Sequence, residues 1–349
     1  MQLYNKLSAK ERETLLDEAG EERLTLSFYK YAKIGNPQLF RNHLFIAWDA
    51  LDVLGRIYVA HEGINAQLSV PAKKFQEFKS FLDNIYFLEN VRLNIAIEQD
   101  DKSFLKLKLK VRPKIVADGL NDDTFDVTDK GVHVDADRFN ELIEDPNTVL
   151  VDMRNHYESE IGHFKNAVTP DVDTFRDSLD IIEADLSEHK EDKNLVMYCT
   201  GGIRCEKASA YYKHKGFKNV FQLEGGIIEY ARQIENKGLE NKFLGKNFVF
   251  DHRRSEQISN EVIAKCHQCG EACDTHVNCA NEACHLLFIQ CKSCAEKMEN
   301  CCSEACQEVI QLPYEEQKRL RAGKKNSNKI FKKGRSPVLK YKSMPAETA

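Results

Sequence analysis

The spacing of apolar positions changes several times along the chain, and each change marks an element. From Ser8, "SAKERETLLDEAG" carries the period of a capped amphipathic helix. "LTLSFYKYAKI" alternates as a strand and "NPQLFRNHLFIAWDALDVL" returns to a helical period. "GRIYVAHEGINAQLSV" reads as two strands around a turn marked by Gly63 and Asn65. The helical "PAKKFQEFKSFLDNI" and the β-rich "LNIAIEQDDKSFLKLKLKVRPKIV" complete the order strand, helix, strand, strand, helix, strand. That order predicts a ferredoxin-like (acylphosphatase-like) α+β sandwich over residues 1–119. Such sandwiches host unrelated functions, so the fold alone decides none.

Residues 120–250 follow another rhythm. "TVLVDMR" and "NLVMYC" are short runs of the fully buried kind, "EKASAYYKHKG" is a helix ended by Gly216, and "VFQLEGG" and "IIEYARQIENKG" repeat the alternation. Strands separated by helices predict a parallel sheet covered on both faces, with its site at the carboxyl ends of the strands. Residues 251–310 are rich in cysteine and poor in apolar mass. From Gln311 onward, eleven Lys and Arg stand against three Glu, which predicts a basic tail without fixed structure over residues 311–349. The fold class is therefore α/β and multi-domain.

Composition narrows the setting. At 349 residues and 42% apolar content, the chain is long enough for two or three domains. No stretch resembles a membrane span and the start lacks a signal peptide's apolar core, so a cytoplasmic protein is expected. There, clustered cysteines are metal ligands or reactive thiols rather than disulfides. The net charge of −5 conceals the basic tail and a stripe in "KLKLKVRPK". Lys106, Lys108 and Lys110, with Arg112 and Lys114 in step, fall on the strand face opposite Leu105, Leu107 and Leu109. The stripe is either a solvated face or a grip on nucleic-acid phosphates. His61 and Glu62 in "VAHEGIN" read as an ordinary turn.

In "VMYCTGGIRCE" an apolar run stops at Cys199, which places a thiol at the end of a predicted strand. A thiol attacks only as thiolate and needs surroundings that lower its pKa. A tight loop there points backbone N–H groups at the sulfur, Gly201 and Gly202 let it close, the next helix adds its positive end, and Arg204 adds a full charge. Only Thr200, Gly201, Gly202 and Ile203 separate the cysteine from the arginine, one residue fewer than in the phosphate cradle of cysteine phosphatases. The smaller loop suits a sulfur-sized group. Such a thiol is expected to be exposed and to contribute little packing. Cys205 either packs at the helix start or resolves an oxidised Cys199.

Ten of the twelve cysteines lie between Cys266 and Cys306. They include the pairs Cys266/Cys269, Cys279/Cys284, Cys291/Cys294 and Cys302/Cys306. Four successive pairs make two tetrahedral thiolate sites, most economically crossed, with the first and third pairs on one metal and the second and fourth on another. Two structural zinc ions fit all-sulfur ligation best, ahead of an iron–sulfur cluster or an unmetallated set of thiols. Cys273, Cys301, His267, His276 and His285 are substitute ligands. A segment this poor in apolar mass needs such a metal to fold.

"VDMRNHYESEIGHFKNAV", "MYCTGGIRCEKA" and "QLEGGIIEY" resemble the opening motif, active-site loop and closing Gly-Gly turn of a rhodanese domain. By that resemblance Cys199 is the nucleophile and Thr200 to Arg204 its cradle, while Asp152 and Arg154 brace the loop. With the ferredoxin-like domain before it and "FLGKNFVFDHR" and the cysteine segment after it, the chain resembles the bacterial tRNA uridine(34) hydroxylase family almost end to end. The resemblance implies oxygen-dependent conversion of wobble uridine to 5-hydroxyuridine, with tRNA as partner, molecular oxygen as co-substrate and Cys199 essential. The residues alone suggest sulfur transfer, and no flavin or nicotinamide fingerprint or facial triad of iron ligands is visible. A persulfide sulfurtransferase, and a zinc-bearing RNA-binding protein with a redox-sensing loop, are the alternative readings.

Overall fold

The computed structural model describes residues 9–121, 124–322 and 336–341. Helix α1 (Ala9–Ala19) precedes β1 (Arg23–Tyr31), α2 (Pro37–Ala50), β2 (Leu54–Ala60), β3 (Gly63–Pro71), α3 (Phe75–Asp83), β4 (Asn94–Ile95) and β5 (Leu107–Val111). The sheet order is β4-β1-β3-β2-β5, antiparallel except at β5, which runs parallel to β2 along the edge. This is the predicted sandwich with one strand added. Alternate residues such as Phe28, Ile57, Val59 and Leu68 join Trp48 of α2 and Phe78 of α3 in one core. The intervening positions, among them Ser27, Tyr29, Tyr58, Asn65 and Gln67, leave the opposite face polar and aromatic.

Two local expectations differ from what forms. Asn65 lies inside β3, opposite Tyr29 and Tyr58, and the turn is His61–Glu62. Gly63 is required there, because at φ +147° a Cβ would meet the Lys30 carbonyl oxygen at 2.0 Å. The run expected to be β-rich forms only β4 and β5. Between them the polar side chains of Gln99 and Asp101 accept from the Thr25 and Arg23 amides at 2.8 Å, and so satisfy the edge of β1 without a strand.

The second sheet follows from β6 (Val132–Val134), α4 (Ala136–Glu144), β7 (Thr148–Asp152), α5 (His156–Ser159), β8 (Gly162–Phe164), α6 (Phe175–Asp185), β9 (Asn194–Tyr198), α7 (Ile203–His214), β10 (Asn219–Leu223) and α8 (Gly226–Lys237). Its order is β6-β10-β9-β7, all parallel. Leu195 and Met197 of β9 pack into the core on one face, and Val196 and Tyr198 into the core on the other. That double burial explains the continuous apolar run before Cys199.

The chain ends with β11 (Phe243–Phe248), β12 (Ser255–Gln257), β13 (His276–Asn278), β14 (Leu287–Ile289), α9 (Lys292–Lys297), α10 (Glu304–Gln311) and α11 (Tyr314–Arg321). Because β11 pairs with β8 on one side and β12 on the other, no break falls at residue 250. The tail expected to lack fixed structure departs from that reading in two places. Tyr314–Arg321 is helical, and residues 336–341 return to the cysteine segment, where Leu339 is buried and the Lys340 and Tyr341 amides reach the His267 carbonyl oxygen. Among the described residues no helix is long and apolar enough to cross a membrane.

The two sheets meet at a buried cation. Lys207 of α7 is 0% exposed, and its Nζ donates to Glu62 Oε2 at 2.8 Å and stands 3.6 Å from Asp118. A buried ammonium requires such partners, so Glu62, which reads in sequence as part of a plain turn, ties the first domain to the second.

Candidate active site and metal centres

Cys199 directly follows β9, and the loop to α7 is held from three sides. The Ile227 and Ile228 amides, after the Gly-Gly turn, donate to the Cys199 and Thr200 carbonyl oxygens at 3.0 and 3.3 Å. Asn94 Nδ2 donates to the Gly201 carbonyl oxygen at 3.3 Å, and the Tyr31 hydroxyl to that of Ile203 at 3.4 Å. Gly202 sits at φ +98°, a region costly for any other residue, and this turns its N–H onto Cys199 Sγ at 3.1 Å. The first domain thus helps to hold the loop of the second.

Burial works against a charged sulfur at Cys199. The Cys205 thiol, the Arg204 charge and the amides of Cys205 and Arg204 outweigh it, and the Cys199 thiol is lowered to about 5. Cys205 moves the opposite way, pushed up by burial and by the neighbouring thiolate, and so remains a protonated donor. Arg204 is not a free charge facing a ligand. Its guanidinium grips Glu158 at 2.7 and 2.8 Å, touches Thr200 Oγ1 at 3.4 Å and lies 5.9 Å from the centre of the Phe250 ring. Glu158 also accepts from the Asn155 amide at 3.1 Å, closing the start of α5. Its sequence signal was the capping-box spacing of Asn155 and Glu158, which gives no hint of the arginine. Asp152 and Arg154 form a fully buried pair, with Nη2 to Oδ2 at 2.6 Å, and the same Nη2 reaches the Gly162 carbonyl oxygen at 2.6 Å. They tie β7 to β8 beneath the loop.

Glu158→Gln is expected to lower stability by about 3–5 kcal/mol, because it strands a buried guanidinium. It should also depress the Cys199 thiol further, since Arg204 would act on it uncompensated. Urea unfolding together with the pH dependence of alkylation checks both.

The expected exposure of Cys199 is not what forms: the residue is 0% exposed. The polar face of the first sheet covers the loop and encloses a cavity of about 450 Å³, lined by Cys199, Thr200, Gly201, Ile203 and Arg204 below and by Tyr29, Tyr58, Asn65, Gln67 and Asn94 above. Its size falls within the range of small-ligand sites. Asn94 is buried, and its Oδ1 has no hydrogen-bond partner among the described residues.

The basic stripe divides. Lys108, Lys110 and Arg112 are exposed and Lys106 half-buried, with Arg112 stacked on Tyr58. Lys114 turns inward instead, its Nζ 2.6 Å from Asp118 and bonded to the Leu120 carbonyl oxygen, because the strand ends at Val111 and the alternation ends with it. Arg56, opposite Lys108 on β2, joins the stripe, although no single strand pattern could have announced it.

In the last segment the sulfurs of Cys266, Cys269, Cys291 and Cys294 gather in one group and those of Cys279, Cys284, Cys302 and Cys306 in a second, each within 4.8 Å. This is the crossed arrangement. The separations Cys269–Cys291 and Cys284–Cys302, both 3.7 Å, and Cys302–Cys306, 3.8 Å, match the edge of about 3.8 Å of a tetrahedron with metal–sulfur bonds of about 2.3 Å. The amides of Cys291 and Cys302 point at the sulfurs of Cys266 and Cys279 at 3.3 and 3.4 Å, as donors to thiolate ligands do. Either group could hold a metal ion. Cys273, Cys301, His276 and His285 stand outside both, and His267 is engaged at both nitrogens, by Glu160 at 2.7 Å and the Ile289 amide at 3.3 Å.

Residues 23–115 match the family described as UPF0176 acylphosphatase like domain, residues 135–233 the Rhodanese-like domain and residues 244–307 the Rhodanase C-terminal. The chain is similar to proteins named tRNA uridine(34) hydroxylase. That of Leptospira interrogans serogroup Icterohaemorrhagiae serovar Lai (strain 56601) is 56% identical over 320 residues, 92% of this chain and 87% of that one. The protein of Pectobacterium atrosepticum is 54% identical over 348 residues, 99% and 98% of the two chains. That of Yersinia pestis (strain Pestoides F) is 55% identical over 345 residues, 99% and 97%.

Proposed function

The chain belongs to the tRNA uridine(34) hydroxylase family, and on that premise we propose that it converts the wobble uridine of tRNA to 5-hydroxyuridine in the cytoplasm, with molecular oxygen as co-substrate and Cys199 as the reacting group. The observation that carries the reading is a thiol lowered to about 5 at the floor of a cavity of about 450 Å³. C6 of uracil is the electrophilic end of a conjugated carbonyl system. Attack by the Cys199 thiolate forms an S–C6 bond and moves the electron pair towards C5 and O4, which makes C5 nucleophilic. C5 bonds one atom of molecular oxygen to give a C5 hydroperoxide, and two electrons and two protons from an external reductant cleave its O–O bond, leaving a hydroxyl on C5 and releasing water. Loss of the C5 proton with cleavage of the S–C6 bond then restores the ring double bond and the thiolate. One oxygen atom enters the base, the other leaves as water, and an external two-electron reductant closes the balance.

A base within a folded anticodon cannot reach such a cavity, so uridine 34 enters splayed out. The two cysteine groups would each hold a zinc ion in a purely structural role, through Cys266, Cys269, Cys291 and Cys294 and through Cys279, Cys284, Cys302 and Cys306.

Mass spectrometry of wobble nucleosides tests this, using cells that lack the gene and are complemented with wild type or Cys199→Ser. 5-Hydroxyuridine in both complemented strains, or in neither, contradicts the reading. A persulfide sulfurtransferase is the second reading, favoured by the short amide-lined loop around Cys199. Thiosulfate turnover by purified protein that forms no 5-hydroxyuridine would establish it instead.

A further inference from the structure

Beside the Cys199 cavity lies a groove of about 500 Å³ with walls from distant parts of the chain. One wall carries Arg56, Lys106 and Lys108 of the first domain, and the other His252, Arg254 and Asn278 of the cysteine-rich end. Arg56 and Phe250 line both the groove and the cavity, so the two spaces adjoin.

The charges in the groove are unbalanced. The one carboxylate lining it, Asp251, is taken by Arg253, with Nε to Oδ1 at 2.9 Å and Nη2 to Oδ2 at 2.5 Å. Among the described residues no carboxylate pairs with Arg56, Lys106, Lys108 or Arg254. Partial desolvation, and then the crowding of Arg56, Lys106 and Lys110, push the ammonium of the exposed Lys108 below its usual range. Arg254 is held at φ +63°, in the left-handed region unfavourable to side chains, and its guanidinium gives one hydrogen bond, to the His276 carbonyl oxygen at 3.0 Å. Burial alone lowers its pKa. Cations brought together against their own repulsion, on a strained backbone and with donors unspent, make a site prepared for an anion.

We propose that this groove seats the phosphodiesters next to the target uridine, so that the cysteine-rich segment supplies one wall of the RNA site. The inference rests on the hydroxylase reading for the identity of the RNA. Its physical content is separate: a nucleoside in the cavity has its backbone leave past Arg56, and the next phosphates lie between Lys108 and Arg254. Metal bound in the cysteine groups would hold that second wall in place, since Arg254 is anchored on His276 of β13 and Asn278 precedes Cys279 of the second group.

The test is fluorescence anisotropy of a labelled anticodon stem-loop RNA with uridine at position 34, titrated with full-length protein over a salt series without oxygen, so that no turnover enters. Arg56→Gln and Arg254→Gln should each weaken binding about 5–10-fold and flatten the slope of log affinity against log salt by roughly 0.7–0.9. Lys73→Gln, whose lysine pairs with Glu21 outside the groove, should change neither. If Arg254→Gln does not fold, Arg56→Gln with Lys108→Gln decides, for neither side chain makes a hydrogen bond or ion pair among the described residues. Unchanged affinity and slope in the double variant overturn the groove whatever the chemistry. Binding that depends on the groove in a protein that forms no 5-hydroxyuridine would leave the groove standing and remove the hydroxylase reading.

Discussion

Cys199→Ser should reduce 5-hydroxyuridine formation at least about a thousandfold, a loss of roughly 4 kcal/mol of transition-state stabilisation. A serine hydroxyl in the same loop is not ionised anywhere near neutral pH, so attack on C6 loses its nucleophile. Serine is the right replacement because Cys199 is fully buried: alanine would orphan the Gly202 amide, which serine can still bond. The pH dependence follows from the sign of the shift. A thiol lowered to about 5 stays ionised as pH falls through neutrality and loses its charge only below about 5. Alkylation of Cys199 should therefore be nearly flat from pH 9 to pH 6, fall by about half at pH 5, and approach a tenfold loss per unit only below about pH 4. A free thiol would already lose reactivity below about 8.5. Cys205, pushed the other way, should react slowly throughout. A midpoint at the ordinary thiol value would refute the cradle of amides and charge.

Features set by neighbours in sequence could be read from sequence. The reactive cysteine was visible because an apolar run buried on both faces must end where the strand ends, and the cysteine pairs because ligands close in sequence share a metal. What depends on distant pairing was hidden. Arg204 and Glu158 are 46 residues apart, and nothing in "CTGGIR" shows that its arginine is already taken. Lys207 and Glu62 are 145 residues apart, and each alone reads as a surface charge. The burial of Cys199 also depends on the docking of a second domain over the loop. Lys114 shows the opposite case. Asp118, four residues on, could have warned that the basic stripe ends before it.

Removing the metal should unfold the cysteine-rich end while leaving the parallel sheet folded. Apart from the cysteines, the apolar material there is slight: one cluster holds Leu287 and Ile289 with Ala264, Phe248, Tyr157 and Ile161, and the other little more than Leu286, Phe288 and Leu339. Among the described residues from Cys266 onward, the only sheet is β13 with β14. Structural zinc contributes on the order of 10 kcal/mol in such modules, which no local repacking replaces. Metal analysis should find two zinc ions per chain, and Cys291→Ser should lose one of them. Cys273→Ser and Cys301→Ser, outside both groups, should keep two. A loss of metal in Cys301→Ser equal to that in Cys291→Ser would refute the ligand assignment, and absence of metal from protein purified without chelator would refute the sites altogether. The two sites should also differ in consequence. Cys279 belongs to the second group and follows Asn278 at the RNA groove, so Cys302→Ser should weaken stem-loop binding more than Cys291→Ser does at equal metal loss. Equal weakening would mean that the metals act only through the stability of the segment and that the second wall of the groove has no separate dependence on its neighbouring ion.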